Sequence, residues 1–352
     1  MKQYVCVRIV QANRLNLKQF QFDFDLTFAV FLMNADGTIY GRYGTRSSRK
    51  EAERDISTSG LAAAMEGALA LHKQYPRNKS SLKGKQAKPT AYNTPNDYPM
   101  LRGKYRATLN YQRGTARSCL HCHQIHGAQQ AVYRNAGKPV PDELIYFYPM
   151  PEVVGLKLNP ATRATVKSVE AQSSAADAGF KVGDEITSLD GQSILSIADV
   201  QWVLHHAGSK GQLAVEVQRG GKTKKLTLEL KDGWRSQTDV TWRAGAWPLR
   251  RMGLGGLSLV GMTDEERKRA GLNKAQLGLK VKQMGRFGPF ATARRAGFRL
   301  NDIIVSFNGV TDAMTPGEML AYTVQKLKAG RRVPVVVLRG ARRVRLTLPM
   351  QR

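Results

Sequence analysis

Apolar and polar positions change period several times along the chain, and each change marks an element. Residues 28–33 form a continuous apolar run, the pattern of a buried strand. Asn34-Ala35-Asp36-Gly37 supplies a turn, and residues 38–43 alternate as the returning strand of a β-hairpin. The period then lengthens. Leu61, Met65, Ala68, Leu69 and His72 fall on one face of a helix that Ser57 or Ser59 can cap and Pro76 ends. His72 reads as a packed or surface residue, not a ligand. Residues 4–9 are strand-like, which makes Cys6 a small buried apolar residue. From 77 to 100 the pattern dissolves into Lys, Ser, Gly, Pro and Asn, the composition of a linker.

The second half repeats itself. Gly155-Leu156-Lys157-Leu158 recurs as Gly278-Leu279-Lys280-Val281, the stretch 178–186 recurs as 296–304, and Asp190-Gly191 recurs as Asn308-Gly309. Each copy then carries a helix signal. Ser196 with Asp199 opens one, followed by Val200, Val203 and Leu204; Thr315, Pro316 and Glu318 open the other. His205 and His206 stand near the end of the first helix, placed to meet its C-terminal dipole. Between the copies, residues 232–276 hold Trp234, Trp242 and Trp247, read as packing anchors between modules.

Composition adds two constraints. The net charge is +28, from 55 Lys+Arg against 27 Asp+Glu, a balance that attracts nucleic acid, anionic lipid or acidic polymers. The basic residues are scattered and no nucleic-acid-binding signature accompanies them, so specific nucleic-acid binding is not expected. No apolar run is long enough for a membrane-spanning helix, and no signal peptide is visible.

Only three cysteines occur, which excludes a disulfide scaffold. Cys119 and Cys122 with the adjacent His123 match the attachment motif for c-type haem: two thiols form thioethers and the imidazole becomes an axial iron ligand. Met150, before a proline, is the candidate second axial ligand, with His126 and His121 behind it. The same cluster admits zinc on Cys119, Cys122 and His123 or His126, or a redox dithiol whose neighbouring imidazoles lower the thiol pKa. All three readings favour a periplasmic or otherwise extracytoplasmic location.

Each repeat resembles a bacterial PDZ domain, in the order Gly-Leu-x-apolar, Ala-Gly-Phe-x-x-Gly/Asn-Asp-x-Ile, Asp/Asn-Gly, helix, hairpin. That resemblance implies capture of a peptide or protein C-terminus by β-augmentation. Gly155 and Leu156, and Gly278 and Leu279, would present backbone N–H groups to the terminal carboxylate. Ile197, Gln201 and Leu204 would line one groove, and Pro316, Leu320 and Thr323 the other. The whole chain resembles bacterial, largely planctomycete, thioredoxin-like/PDZ domain-containing (seleno)proteins. The residues that carry this are 22–28, 34–44, 119–124 and 198–205. The expected fold is therefore α+β and multidomain: a partial thioredoxin-like domain at 1–76, a linker at 77–100, a Cys/His segment at 101–150, PDZ domains at 151–231 and 277–352, and a Trp-rich spacer at 232–276. With no Gly-x-Ser-x-Gly sequence, the expected function is a PDZ adaptor with a haem c redox centre and no protease activity; the alternative is a thiol–disulfide oxidoreductase.

Overall fold

The hairpin signalled near the N-terminus closes over fewer residues than its apolar run. β1 (Val30–Met33) pairs antiparallel with β2 (Ile39–Tyr43), and the turn is fixed by Asp36 Oδ1, which accepts from Thr38 N at 2.9 Å. α1 (Thr58–Lys73) is capped by Ser57, whose Oγ accepts from Gly60 N at 2.9 Å. This is a computed structural model, and it describes residues 3–48, 55–112 and 114–352. Residues 4–9 are not a strand, and Cys6 is exposed.

The polar stretch at 77–100 is packed in place, which corrects the linker expectation. Leu82 and Lys85 lie in a 3-10 turn over Lys79–Lys85 and are fully buried, while Tyr98 joins a core with Leu17, Phe24 and Ile125. Composition misled because the burial there is carried by a few long side chains in an otherwise polar run. α2 (Thr115–Ser118), α3 (His123–Asn135) and α4 (Asp142–Ile145) follow.

The first unit is a sheet in the order β3-β4-β5-β7-β8, made of β3 (Leu156–Asn159), β4 (Thr165–Val169), β5 (Glu185–Leu189), β7 (Gly211–Arg219) and β8 (Lys222–Leu230), with β6 (Gln192–Ser193) on β5. α5 (Ser174–Asp177) and α6 (Ile197–His206) cover it. α7 (Trp247–Leu254) then leads into a second sheet in the order β13-β12-β11-β10-β9. Its parts are β9 (Leu257–Gly261), α8 (Asp264–Arg269), β10 (Leu279–Met284), α9 (Thr292–Arg295), β11 (Ile303–Phe307), α10 (Pro316–Gln325), β12 (Arg332–Arg339) and β13 (Arg342–Pro349).

The two units share topology, but their match differs from the one the sequence suggests. Val166 N donates to Asp184 O in the first unit, and Val281 N donates to Asp302 O in the second, both at 2.8 Å. β10 therefore corresponds to β4, and β9 to β3. Glu170 N to Gly155 O and Gly285 N to Gly256 O are the matching bonds at the entry turns. Gly278-Leu279 thus sits on an inner strand, and the counterpart of Gly155-Leu156 is Gly256-Leu257. The supposed spacer holds the second unit's first strand. Of its tryptophans only Trp234 is a core anchor; Trp242 is half-buried beside Arg46 and Arg243, and Trp247 is exposed.

Both units lock the turn before the third strand in the same way. Asp184, fully buried, accepts from Arg219 Nε and Nη2 at 2.6 Å and from Lys181 N at 2.9 Å. Asp302 repeats this with Arg339 at 2.8 and 2.9 Å and with Arg299 N at 2.8 Å. The fork of a guanidinium matches both carboxylate oxygens, which offsets the cost of burying the charge.

Candidate functional site

β3 ends its sheet, and among the described strands only β4 pairs with it, so its outer edge is unmatched. The turn that leads into β3 depends on Gly155. Its φ is +86°, and a Cβ there would lie 2.1 Å from Ser173 Oγ. Gly155 N–H is already satisfied by Glu152 O at 2.9 Å, so the glycine serves the turn and not as a free donor. Beside this turn lies a cleft of about 870 Å³, lined by Arg46, Val154, Gly155, Ser173, Lys231 and Trp242 among others. Arg46, Arg243 and Lys231 line this opening together with Glu152, Glu170, Asp232 and Asp239, and Lys231 Nζ pairs with Asp177 Oδ2 at 2.9 Å.

α6 flanks β3. The residues expected to line the groove, Ile197, Gln201 and Leu204, are all buried. Ile197 and Leu204 share the core with Val154 and Leu156, and Gln201 Nε2 donates to Tyr148 O at 3.0 Å. The chain entering the unit therefore covers part of the groove helix. In the second unit Gly256, at φ +91°, makes the corresponding turn. Leu320 and Thr323 are buried there and Pro316 half-buried; α7 presses on Thr323 so closely that a Cβ at Gly253 would lie 2.0 Å from its Oγ1.

The other side of α6 carries a charge network that sequence reading missed. Asp199 accepts from Arg42 N at 3.1 Å and Leu195 N at 3.0 Å, and Lys85 Nζ lies 2.8 Å from its Oδ2. Both side chains are nearly inaccessible, and no hydrogen-bond acceptor is aligned with Nζ among the described residues. Burial pulls the Lys85 pKa down and Asp199 opposes it. Arg42 spreads its guanidinium 3.5 Å from the Trp202 ring, and Trp202 Nε1 donates to Gly84 O at 2.8 Å. This network fixes the groove helix to the N-terminal region.

His205 and His206 do not act simply as dipole partners. His205 Nδ1 accepts from Tyr148 N at 3.3 Å and its ring stacks on Tyr148 at 4.1 Å; His206 Nδ1 lies 2.9 Å from Trp202 O. Burial, and then the neighbouring cations, hold the His205 pKa well below that of a free imidazole. The neutral ring is what the folded state keeps, so the unfolded chain binds the extra proton first. Stability from His205 is complete above about pH 6.5 and is lost as pH falls below it. Thermal melts should show His205→Asn losing part of the wild-type drop between neutral and mildly acidic pH; an unchanged drop would exclude this origin.

Cys122 packs in the N-terminal core, His123 lies 5.8 Å from the Trp247 ring, and Met150 packs against the first unit's core. Burial raises the Cys122 pKa, the opposite of an activated thiolate. Among the described residues no three His, Cys, Asp or Glu side chains are grouped to hold a metal ion. His126 is buried between Phe24 and Phe147, 3.7 Å from Asp23. His72 instead meets Tyr40 Oη at 2.8 Å.

An edge strand entered by a glycine turn, with a helix beside it and a closing hairpin, is the arrangement of a PDZ-class module. Residues 148–230 match the PDZ domain family, so the chain contains a PDZ domain. A DegP-like periplasmic serine endoprotease of Pseudomonas savastanoi pv. phaseolicola is 30% identical over 190 residues, covering 53% of this chain and 37% of the relative. A DegP-like relative from Halomonas elongata is 25% identical over 177 residues, covering 50% and 35%. The HtrA-type protease AlgW solved with a decapeptide aligns at 18% identity with a TM-score of 0.25, over 39% of this chain and 41% of that one. The chain thus spans little more than a third of the curated relatives' length. These relatives overturn the expectation of a haem-bearing redox adaptor that is not a protease, and the oxidoreductase alternative with it, because the proteins it resembles are named serine endoproteases. No helix among the described residues is long and apolar enough to cross a membrane.

Proposed function

We propose that this chain serves DegP-like serine endoproteolysis outside the cytoplasm by holding the C-terminus of a client polypeptide. The observation that carries the reading is the turn at Gly155 leading into the unmatched edge of β3, within the segment that matches the PDZ family. An extended peptide gains main-chain hydrogen bonds from such an edge. At the adjacent cleft Arg46 suits a terminal carboxylate, while Lys231 is already paired with Asp177. The second unit is read as a second PDZ domain running from the turn at Gly256. What supports this is its matching strand order and the repeated buried Asp–Arg clasp. For the thioredoxin-like reading of residues 1–76, the support is the hairpin β1–β2 followed by α1.

The test is digestion of an unfolded client, such as casein, by the chain alone and by a DegP-like endoprotease with and without the chain. Cleavage should be faster with the chain present in at least one arrangement, and excess peptide with a free apolar C-terminus should suppress the gain. Digestion indifferent to the chain in both arrangements would contradict the proposal.

A further inference from the structure

The second unit carries a surface that peptide capture does not use. From Val281 to Asp302 its chain is three residues longer than the matching stretch from Val166 to Asp184, measured between the same backbone hydrogen bonds. The extra length forms a loop whose tip is apolar: Phe287 is 82% exposed and Phe290 39%, and Leu300, on the turn after α9, is 56% exposed. Arg286, Arg294, Arg295 and Arg299 are exposed within the same stretch, and residues 285–300 contain no Asp or Glu. Arg295 ties α9 to the loop by donating from Nη1 to Gly288 O at 3.0 Å. The first unit has Glu170 and Asp177 in its matching stretch and no aromatic residue at the tip. The aromatic tip and the lack of acidic residues therefore belong to this unit, whereas the exposed aliphatic is shared, Val182 at the position of Leu300 being 70% exposed.

We infer that this loop is a docking surface for an anionic phospholipid membrane, with Phe287 and Phe290 entering the interface and the arginines pairing with phosphate headgroups. Exposed phenylalanine has no polar group to satisfy, so it enters the acyl boundary at no hydrogen-bonding cost. Arginine keeps its charge at the headgroup level while its stem covers apolar surface. Phe287 and Phe290 could also stack on bases, but the exposed aliphatic Leu300 offers nothing to a base and suits lipid. The net charge of +28 supplies the long-range attraction that brings this face to an anionic surface.

Flotation of the full chain with vesicles tests it, using phosphatidylcholine alone and phosphatidylcholine mixed with phosphatidylglycerol. The chain should float with the mixed vesicles and stay behind with the neutral ones. Phe287→Ser should reduce mixed-vesicle binding about tenfold, and Arg294→Ala about fivefold. Both side chains are exposed, so thermal unfolding should be unchanged. Binding that survives both substitutions would assign it to the general charge and overturn the inference. So would absence of binding to mixed vesicles, or binding to single-stranded oligonucleotide in place of them.

Discussion

Replacing Asp199 with alanine should destabilise the folded chain by about 3–5 kcal/mol, the cost of leaving a buried charge uncompensated. The loss has several sources. Lys85 Nζ would lose its carboxylate at 2.8 Å, and the amides of Arg42 and Leu195 would lose their acceptors. Lys85→Met should cost less, because Asp199 keeps both amide donors. The double variant Lys85→Met/Asp199→Ala should recover part of the loss, since no isolated charge remains. Urea unfolding of the four proteins measures this. An Asp199→Ala chain as stable as wild type would mean that the network does not fasten α6 to the N-terminal region.

The second large effect is expected at Gly155. A valine there must hold φ near +86°, and its Cβ would begin 2.1 Å from Ser173 Oγ and 2.2 Å from Ser173 Cβ. The left-handed backbone alone costs about 1–3 kcal/mol for such a residue, and the turn must shift to relieve the contact. Peptide binding should fall at least about tenfold, because β3 and the turn would no longer share one geometry. Gly191→Val is the control: it also has positive φ, at +72°, but no atom within 4 Å of its Cβ position. It should lose stability from backbone strain while leaving peptide binding intact.

The sequence was legible where one local rule decides the outcome. Ser57, Ser196 and Thr315 cap the helices that their spacing announces. The Asn34–Gly37 turn closes its hairpin, and the Ala-Gly-Phe stretches mark equivalent turns in both units. It misled where similar residues serve different strands. Gly278-Leu279-Lys280-Val281 echoes Gly155-Leu156-Lys157-Leu158, yet α8 is inserted between β9 and β10 and pushes the true counterpart back to Gly256-Leu257-Ser258-Leu259. The alternation of Leu257 and Leu259 behind two glycines was a signal that could have found it. Lys85 could not have been found that way, since a lysine in a polar run reads as solvated until its partner, over a hundred positions away, is placed beside it. The Cys119/Cys122/His123 cluster is the reverse case. Its spacing suggested a haem-bearing redox adaptor, a function that the DegP-like relatives overturn; His123 lies beside the Trp247 ring and Met150 packs against the first unit's core.

The first unit is expected to hold a polypeptide by its free C-terminus. The most direct measurement is titration of the full chain with one labelled peptide ending in an apolar residue, prepared with a free carboxylate and with a terminal amide. The expected result is saturable binding of the acid, weakening by at least about tenfold on amidation, and loss of that difference in Gly155→Val. Equal binding of acid and amide would contradict it.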